Sequence, residues 1–410
     1  MATATDGEVE GHDDVPSTGP GLVSGTADTD PTTVGTMVVV GATTGYALSL
    51  LVWLVLPALA VVQAVSARVG TVAGGNLQTC VRSRFGWRSQ ALLLLSLLPV
   101  SVVTAAADLQ AGATALGLLV HVDARWLVLP LAAVVSALLV FGAYDEVQRV
   151  LQWLALLLLA FPVAAVLARP DWGQILRATV LPRFELSGPY VGGSLAIVGT
   201  TLTSYVYVWQ TIASSEQRSS LRRLRSQQAG TTAGIAVAVA LFWFILVASA
   251  AAFGGRGEPV RTAQDAARAL EPAAGPAAAY VFGAALLVSA LVALPVILAT
   301  CAYAVAEEFD WERGLSHRLR AAPRFYATVA VAVVLAAGST FLGVAPLQLL
   351  FVASVLGGLA TPVGLVYLML VASSRRVMGP HRSSLPLLAA GWVVTLAVSA
   401  AALTGVVLQL

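Results

Sequence analysis

Apolar segments of about 20 residues recur along nearly the whole chain, separated by short loops that hold most of the charged residues. A helix needs about 20 mainly apolar residues to cross a bilayer. The pattern therefore predicts an all-α integral membrane protein with about eleven transmembrane helices. The predicted spans are 19–46, 48–66, 90–119, 126–143, 150–168, 190–213, 230–253, 277–305, 325–343, 346–372 and 385–408.

Composition and charge agree with this class and add an orientation. Of the 410 residues, 58% are hydrophobic and 11% are charged, which is too apolar for a soluble domain of this length. All 23 basic residues are arginine: sixteen lie in loops on one side of the predicted membrane and seven on the other. The positive-inside rule then predicts a cytoplasmic N-terminus and, with eleven spans, an external C-terminus. Residues 1–18 are polar and acidic, and we expect a disordered tail there.

The first predicted span is interrupted by polar residues. Asp28, Asp30 and Pro31 lie in its middle, together with several threonines. A carboxylate at membrane depth costs about 2.5–3.5 kcal/mol on insertion scales and usually marks a pathway or a binding site. Proline cannot continue a helix from the residues before it, so Asp30-Pro31 predicts a helix break. Because a break frees backbone carbonyls, this stretch is a candidate cation site.

The sixth predicted span has a second interruption, where Gly199, Thr200, Thr201, Thr203 and Ser204 lie together in the middle of an apolar segment. Small residues of this kind are common where two membrane helices pack closely, and that is one interpretation. The other follows from position, because the two interruptions are five helices apart. Interruptions at corresponding places in two halves indicate an inverted-repeat transporter with its site at the midplane.

Few acidic residues lie inside the predicted spans, and no arginine or histidine does. Asp108 is in the third span, where it is either a protonated or water-facing carboxylate or part of a transport route. Glu307 and Glu308 end the eighth span, so we expect both to be solvated. The carboxylate of Asp30, the threonine hydroxyls and the freed carbonyls are hard oxygen donors. Such donors suit Mg²⁺, Ca²⁺ or Mn²⁺ better than copper or zinc.

Several stretches, in order, resemble the natural resistance-associated macrophage protein (Nramp) family of divalent-metal transporters, particularly its divergent Nramp-related branch. The likeness covers about residues 19–380, and GPGLVSGTADTDP in span one resembles the family's GPGLLxAxxxxDPGN motif. The stretches are GPGLVSGTADTDP, AVVQAVSARVGTVAGGNLQTCVRSRFG, TAAADLQAG, VQRVLQWLAL, GTTLTSYVYVWQ, LPVILATCAYAVAEEFDWERGL and SSRRVMG.

The resemblance implies a LeuT-like fold of 5+5 inverted repeats, with the metal held between broken helices one and six. The family's metal-binding aspartate and asparagine fall on Asp30 and Thr33. Its backbone-carbonyl ligand falls on Thr200, its methionine on Thr203 and its histidine on Tyr205. The helix-three aspartate and glutamate of the family's proton route fall on Asp108 and Ala111. This chain departs from the family at these positions: threonine replaces the methionine, tyrosine the histidine and alanine the glutamate. The soft sulfur ligand and two proton carriers are therefore absent, which implies a hard-cation transporter without proton coupling.

The predicted function is divalent cation transport by alternating access, with Mg²⁺ or Mn²⁺ first, in the cell membrane. The predicted metal ligands are Asp30, Thr33, Thr200 and Thr203, and the accessory or pathway residues are Asp28, Asp108 and Tyr205. The alternatives are an organic-solute symporter of the same fold and a non-transporting sensor or scaffold. No catalytic motif indicates an enzyme. We expect no cofactor besides the transported ion and no nucleic-acid partner, since the arginines of 218–225 fit a topology determinant.

The predicted organisation has four parts. Residues 1–18 form the tail, 19–180 the first five-helix repeat and 181–380 the second. Residues 381–410 hold the eleventh span.

Overall fold

The computed structural model describes residues 29–140, 155–181, 184–216, 221–254, 260, 262–315 and 319–409. Within these residues every regular element is a helix. The predicted tail, the first part of span one and Asp28 lie outside the described residues.

The first half of the chain begins with a helix that starts at Pro31, because Asp30 caps it and proline is favoured in the first turn. This helix ends at Gly45, whose φ of 59° is a conformation that few residues other than glycine adopt. The helices of this half are α1 (Pro31–Thr44), α2 (Ser49–Ala73), α3 (Leu77–Phe85), α4 (Trp87–Val120), α5 (Ala124–Val140), a 3₁₀ turn (Ala155–Leu159), α6 (Ala160–Leu167) and α7 (Trp172–Val180).

The second half contains a helix pair separated by two residues, α8 and α9, at the predicted second interruption. A short helix begins at Ala263, with a capping box between Thr262 and Asp265. The helices of this half are α8 (Gly188–Thr201), α9 (Ser204–Glu216), α10 (Leu221–Phe253), α11 (Ala263–Ala267), α12 (Glu271–Ala274), α13 (Ala278–Glu308), α14 (Pro323–Gly338), α15 (Pro346–Ser373), α16 (Arg375–Met378) and α17 (Leu385–Gln409).

The helix lengths agree with the predicted spans. Among the described residues, eight helical segments are long and apolar enough to cross a membrane. The bent pair formed by Leu156–Leu167 and Trp172–Val180 is a ninth candidate. The remaining predicted spans correspond to α1 and α5, which are 14 and 17 residues long and adjoin chain outside the described ranges.

Helix α1 lies at the centre of the packing. It contacts α10, α15, α8 and α4, while α4 and α13 pack along each other. Close approach requires glycine at Gly41, where a Cβ atom would overlap the backbone oxygen of Leu246 on α10. The start of α1 is therefore enclosed by helices from both halves of the chain.

Candidate metal site

The site begins at the N-terminus of α1. Asp30 Oδ1 accepts a 2.6 Å hydrogen bond from the backbone N–H of Thr33, and Asp30 is 1% exposed. This bond satisfies one of the N–H groups that a helix start leaves unpaired. A helix begins at Pro31, as a break at Asp30-Pro31 requires, while the part of span one before Thr29 lies outside the described residues.

The second interruption forms the opposite wall. Helix α8 ends at Thr201 and α9 begins at Ser204, so Leu202 and Thr203 lie between them. The helix does not continue past Thr201, so no further turn of α8 supplies N–H donors to its last backbone carbonyls. Thr200 and Thr203 are 4% and 3% exposed, so this gap is buried.

Two direct contacts join the interruptions. The hydroxyl oxygens of Thr33 and Thr200 are 2.8 Å apart and share a hydrogen bond. The phenol of Tyr205, in the first turn of α9, donates a 2.7 Å hydrogen bond to Asp30 Oδ2. Both oxygens of the Asp30 carboxylate therefore accept a hydrogen bond, one from each broken segment.

Asp108 lies beside the same helix start and is fully buried. Its Oδ1 accepts hydrogen bonds from the backbone N–H of Thr32 at 3.0 Å and from the Thr32 hydroxyl at 2.5 Å. Its Oδ2 has no hydrogen-bond partner among the described residues. Two buried carboxylates thus meet the first turn of α1, and no ion pair within the described residues involves either of them.

The donor set consists of oxygen atoms. No cluster of three or more His, Cys, Asp or Glu side chains occurs in the described part of the chain. Both cysteines, Cys80 and Cys301, are buried free thiols. Ala111, at the position where the resemblance places a glutamate, is buried and has no ionisable group. A cation at this place could therefore bind to carboxylates, hydroxyls and helix-end carbonyls, which are ligands for hard ions.

Both interpretations of the Gly/Thr stretch in span six apply, to different residues. Gly199 packs against the backbone of Ser354 and Gly358 on α15, so closely that no side chain fits there. The Thr201 hydroxyl donates to Ile197 O at 2.6 Å, within its own helix. Thr200, between these two residues, makes the contact with Thr33. The stretch thus contains both a packing surface and a wall of the site.

The prediction that Glu307 is solvated is wrong. Glu307 is 4% exposed, and its Oε2 accepts from Asn76 at 3.1 Å and lies 2.6 Å from an Arg313 nitrogen. The Thr79 hydroxyl donates to the other carboxylate oxygen, Oε1. The difference arises because α3 folds against the end of α13 and supplies polar partners that the linear sequence does not bring near Glu307.

Sequence reasoning also missed Thr32, whose backbone and hydroxyl both bind Asp108. Position offered a partial signal, since Thr32 occupies the first turn of a helix whose unpaired N–H groups attract carboxylates. The position of Thr32 did not indicate which carboxylate would bind to it, because Asp108 is 76 residues away in sequence.

A helix that starts at a buried carboxylate and faces the gap between α8 and α9 is typical of one class, the helical membrane transporters with a site at helix breaks. The comparison with family models is specific: residues 21–408 match the natural resistance-associated macrophage protein-like (Nramp) family. The chain belongs to this family, as the motifs suggested.

Relatives support the assignment along most of the sequence. The chain is 27% identical to the divalent metal cation transporter MntH of Deinococcus radiodurans, over 94% of this chain and 88% of the relative. It is 30% identical to the MntH of Ralstonia nicotianae, over 93% of this chain and 88% of the relative.

Solved structures confirm the LeuT-like fold. The manganese transporter of Eremococcus coleocola superimposes with a TM-score of 0.75 at 18% identity, covering 94% of this chain and 85% of that one. Mhp1, a nucleobase-cation-symport-1 family transporter, gives a TM-score of 0.62 at 15% identity, covering 95% and 90%.

Proposed function

We propose that this protein carries a divalent cation across the cell membrane by alternating access, with the ion bound where α1 begins and α8 ends. The observation that supports this most strongly is the burial of Asp30 at the meeting of two helix breaks. The proposed ligands are Asp30, Thr33, Thr200 and Thr203, with Asp108 and Tyr205 as accessory residues and Asp28 on the route.

Charge balance favours a cation with two positive charges. Asp30 and Asp108 are both buried beside the same helix turn. An unpaired buried charge costs several kcal/mol, which a counter-ion offsets. A single divalent cation neutralises both carboxylates, whereas a monovalent ion leaves one negative charge uncompensated.

The spacing of two hydroxyl oxygens is compatible with a small ion. Neighbouring oxygens around an octahedral ion with bonds of 2.0–2.1 Å, such as Mg²⁺, are separated by about 2.9 Å. The hydroxyl oxygens of Thr33 and Thr200 are 2.8 Å apart, so they require little movement to become adjacent ligands of such an ion. Ca²⁺ forms longer bonds and takes about six to eight oxygen ligands, more than the residues proposed here supply. The relatives' names, divalent metal and manganese transporter, agree with Mg²⁺ or Mn²⁺ as the substrate.

The contact between Thr33 and Thr200 weighs against an organic-solute symporter. The two walls of the site touch there and leave little room for a larger molecule. Asp30 also repels an anionic substrate group. A sensor or scaffold retains the fold without flux, and the transport assay below distinguishes it.

We further propose transport without proton coupling. Tyr205 and Ala111 occupy the positions at which the resemblance places a histidine and a glutamate. A phenol is protonated at neutral pH and an alanine carries no proton. In this mechanism an entering ion displaces the Tyr205 hydroxyl from Asp30 Oδ2, and rocking of one helix group against the other exposes the site to the opposite side.

The proposed membrane arrangement follows the predicted repeats, 19–180 and 181–380, with the N-terminus cytoplasmic. The helix breaks lie in span one and span six, one in each repeat. The arginine distribution supports this orientation.

The test is flux into proteoliposomes, with Mg²⁺, Mn²⁺ and Ca²⁺ compared in one assay and a pH dye in the lumen. We expect Mg²⁺ and Mn²⁺ to enter at least tenfold faster than Ca²⁺, without acidification. Acidification that parallels metal entry contradicts the uncoupled mechanism. No flux of any ion by a folded protein contradicts the transporter assignment.

A further inference from the structure

Helix α7 (Trp172–Val180) has three distinct sides. Ile175 is fully buried against the protein. Trp172, Leu176 and Val180, spaced four residues apart on one stripe, are 39%, 59% and 70% exposed. Gln174 and Arg177 are also exposed and lie on a separate, polar stripe, because a helix turns by about 100° per residue. One side thus meets protein, one is apolar and exposed, and one is polar.

The helix is well defined at both ends. Asp171 caps its start by accepting from the backbone N–H of Gln174 at 3.1 Å. Its end is closed by a 2.8 Å bond from Leu181 N to Arg177 O. Its axis bends by 111° from the preceding helical segment, Leu156–Leu167. For a preceding segment that stands along the membrane normal, a bend of this size brings α7 close to the plane of the membrane.

We propose that α7 lies in the plane of the bilayer, with Trp172, Leu176 and Val180 inserted at the boundary between acyl chains and headgroups. Amphipathic helices with a tryptophan on the apolar side and an arginine on the polar side are typical of this position.

The apolar stripe continues a surface that already faces lipid. On the preceding helix, Val163, Val166 and Leu167 are 51%, 55% and 52% exposed, as expected for a helix at the rim of a membrane protein. Leu181 and Phe184, beyond α7, are 72% and 85% exposed. Exposed apolar side chains therefore continue from α6 through α7, and the turn between the two helices adds two exposed charged residues, Arg169 and Asp171.

Lipid fits this surface better than a second copy of the chain. A stable protein interface buries about 1,200–2,000 Å² in total, whereas the stripe on α7 is three side chains long. With α7 held in the lipid, the start of the linker to α8 would also be fixed. Helix α8 carries Thr200 and Thr201 at its end.

The test uses spin labels on the full chain in lipid nanodiscs, at Leu176→Cys for the apolar stripe and Gln174→Cys for the polar stripe. The two native cysteines do not interfere, because both are buried and burial raises the pKa of the Cys80 thiol to about 12. Unsubstituted protein gives the background labelling.

We expect the ratio of oxygen to nickel-complex collisions to be severalfold higher at residue 176 than at residue 174. Equal nickel access at both positions places the stripe in water and overturns the proposal. Protection of residue 176 from both reagents places protein over it and also overturns the proposal. Val180→Cys and Arg177→Cys provide the same comparison if either first variant does not fold.

Discussion

Tyr205 and Asp30, 175 residues apart in sequence, are joined by a 2.7 Å hydrogen bond from the phenol to Oδ2. The bond links the first turn of α9 to the residue that caps α1. It also occupies the carboxylate oxygen that points away from the helix cap, so the proposed ion has to replace this donor.

Tyr205→Phe should therefore lower the KM for Mn²⁺ or Mg²⁺. A hydrogen bond to a charged group contributes about 1.5–3 kcal/mol, and we expect a decrease of about tenfold. Flux in proteoliposomes measures it. Tyr207→Phe is the matched control, since the Tyr207 hydroxyl bonds to Ser204 and to the backbone oxygen of Thr361 on α15. If the KM rises in Tyr205→Phe instead, the phenol oxygen is a ligand of the ion.

Thr33→Val should raise the KM by about tenfold, because it removes one oxygen ligand while preserving side-chain shape. Thr36→Val is its control: the Thr36 hydroxyl bonds to Ser354 at 2.7 Å, one turn further along α1. We expect the control to stay within about twofold of the unsubstituted protein. If the KM is unchanged in Thr33→Val, the hydroxyl serves only to join α1 to Thr200.

The sequence was sufficient to predict the elements that depend on local chemistry. Asp30-Pro31 marked the start of α1, because proline and capping residues act on the adjacent backbone, and the Gly/Thr stretch of span six marked the gap between α8 and α9. The contacts of Asp108 and Glu307 were not predictable in this way. Their partners, Thr32 and Asn76, are 76 and 231 residues distant, and only the packing of the helices brings them together.

Asp108→Asn separates charge from structure at the second carboxylate. The asparagine carbonyl still accepts the two bonds from Thr32, so the fold should persist, but one negative charge is lost. We expect the rate of Mg²⁺ or Mn²⁺ flux to fall at least tenfold, since the divalent ion is then only partly neutralised. Unaltered flux would show that the Asp108 charge has no part in transport and that it serves to cap α1.

Glu307→Gln should destabilise the protein, because the buried carboxylate accepts from Asn76 and Thr79 and pairs with Arg313. Loss of the charge costs about 2 kcal/mol, which lowers the apparent Tm by about 4 °C. Glu308→Gln, at the neighbouring, partly exposed position, should shift the Tm much less. Thermal unfolding in detergent measures both. Equal shifts in the two variants would contradict the structural role of Glu307.

The measurement closest to the central claim is ion flux by Asp30→Ala in proteoliposomes, beside unsubstituted protein of equal incorporation. Asp30 supplies the charge at the meeting of the two helix breaks, so we expect Mg²⁺ and Mn²⁺ flux to fall to the level of empty liposomes. Flux equal to that of the unsubstituted protein would contradict the account and remove Asp30 from the transport site.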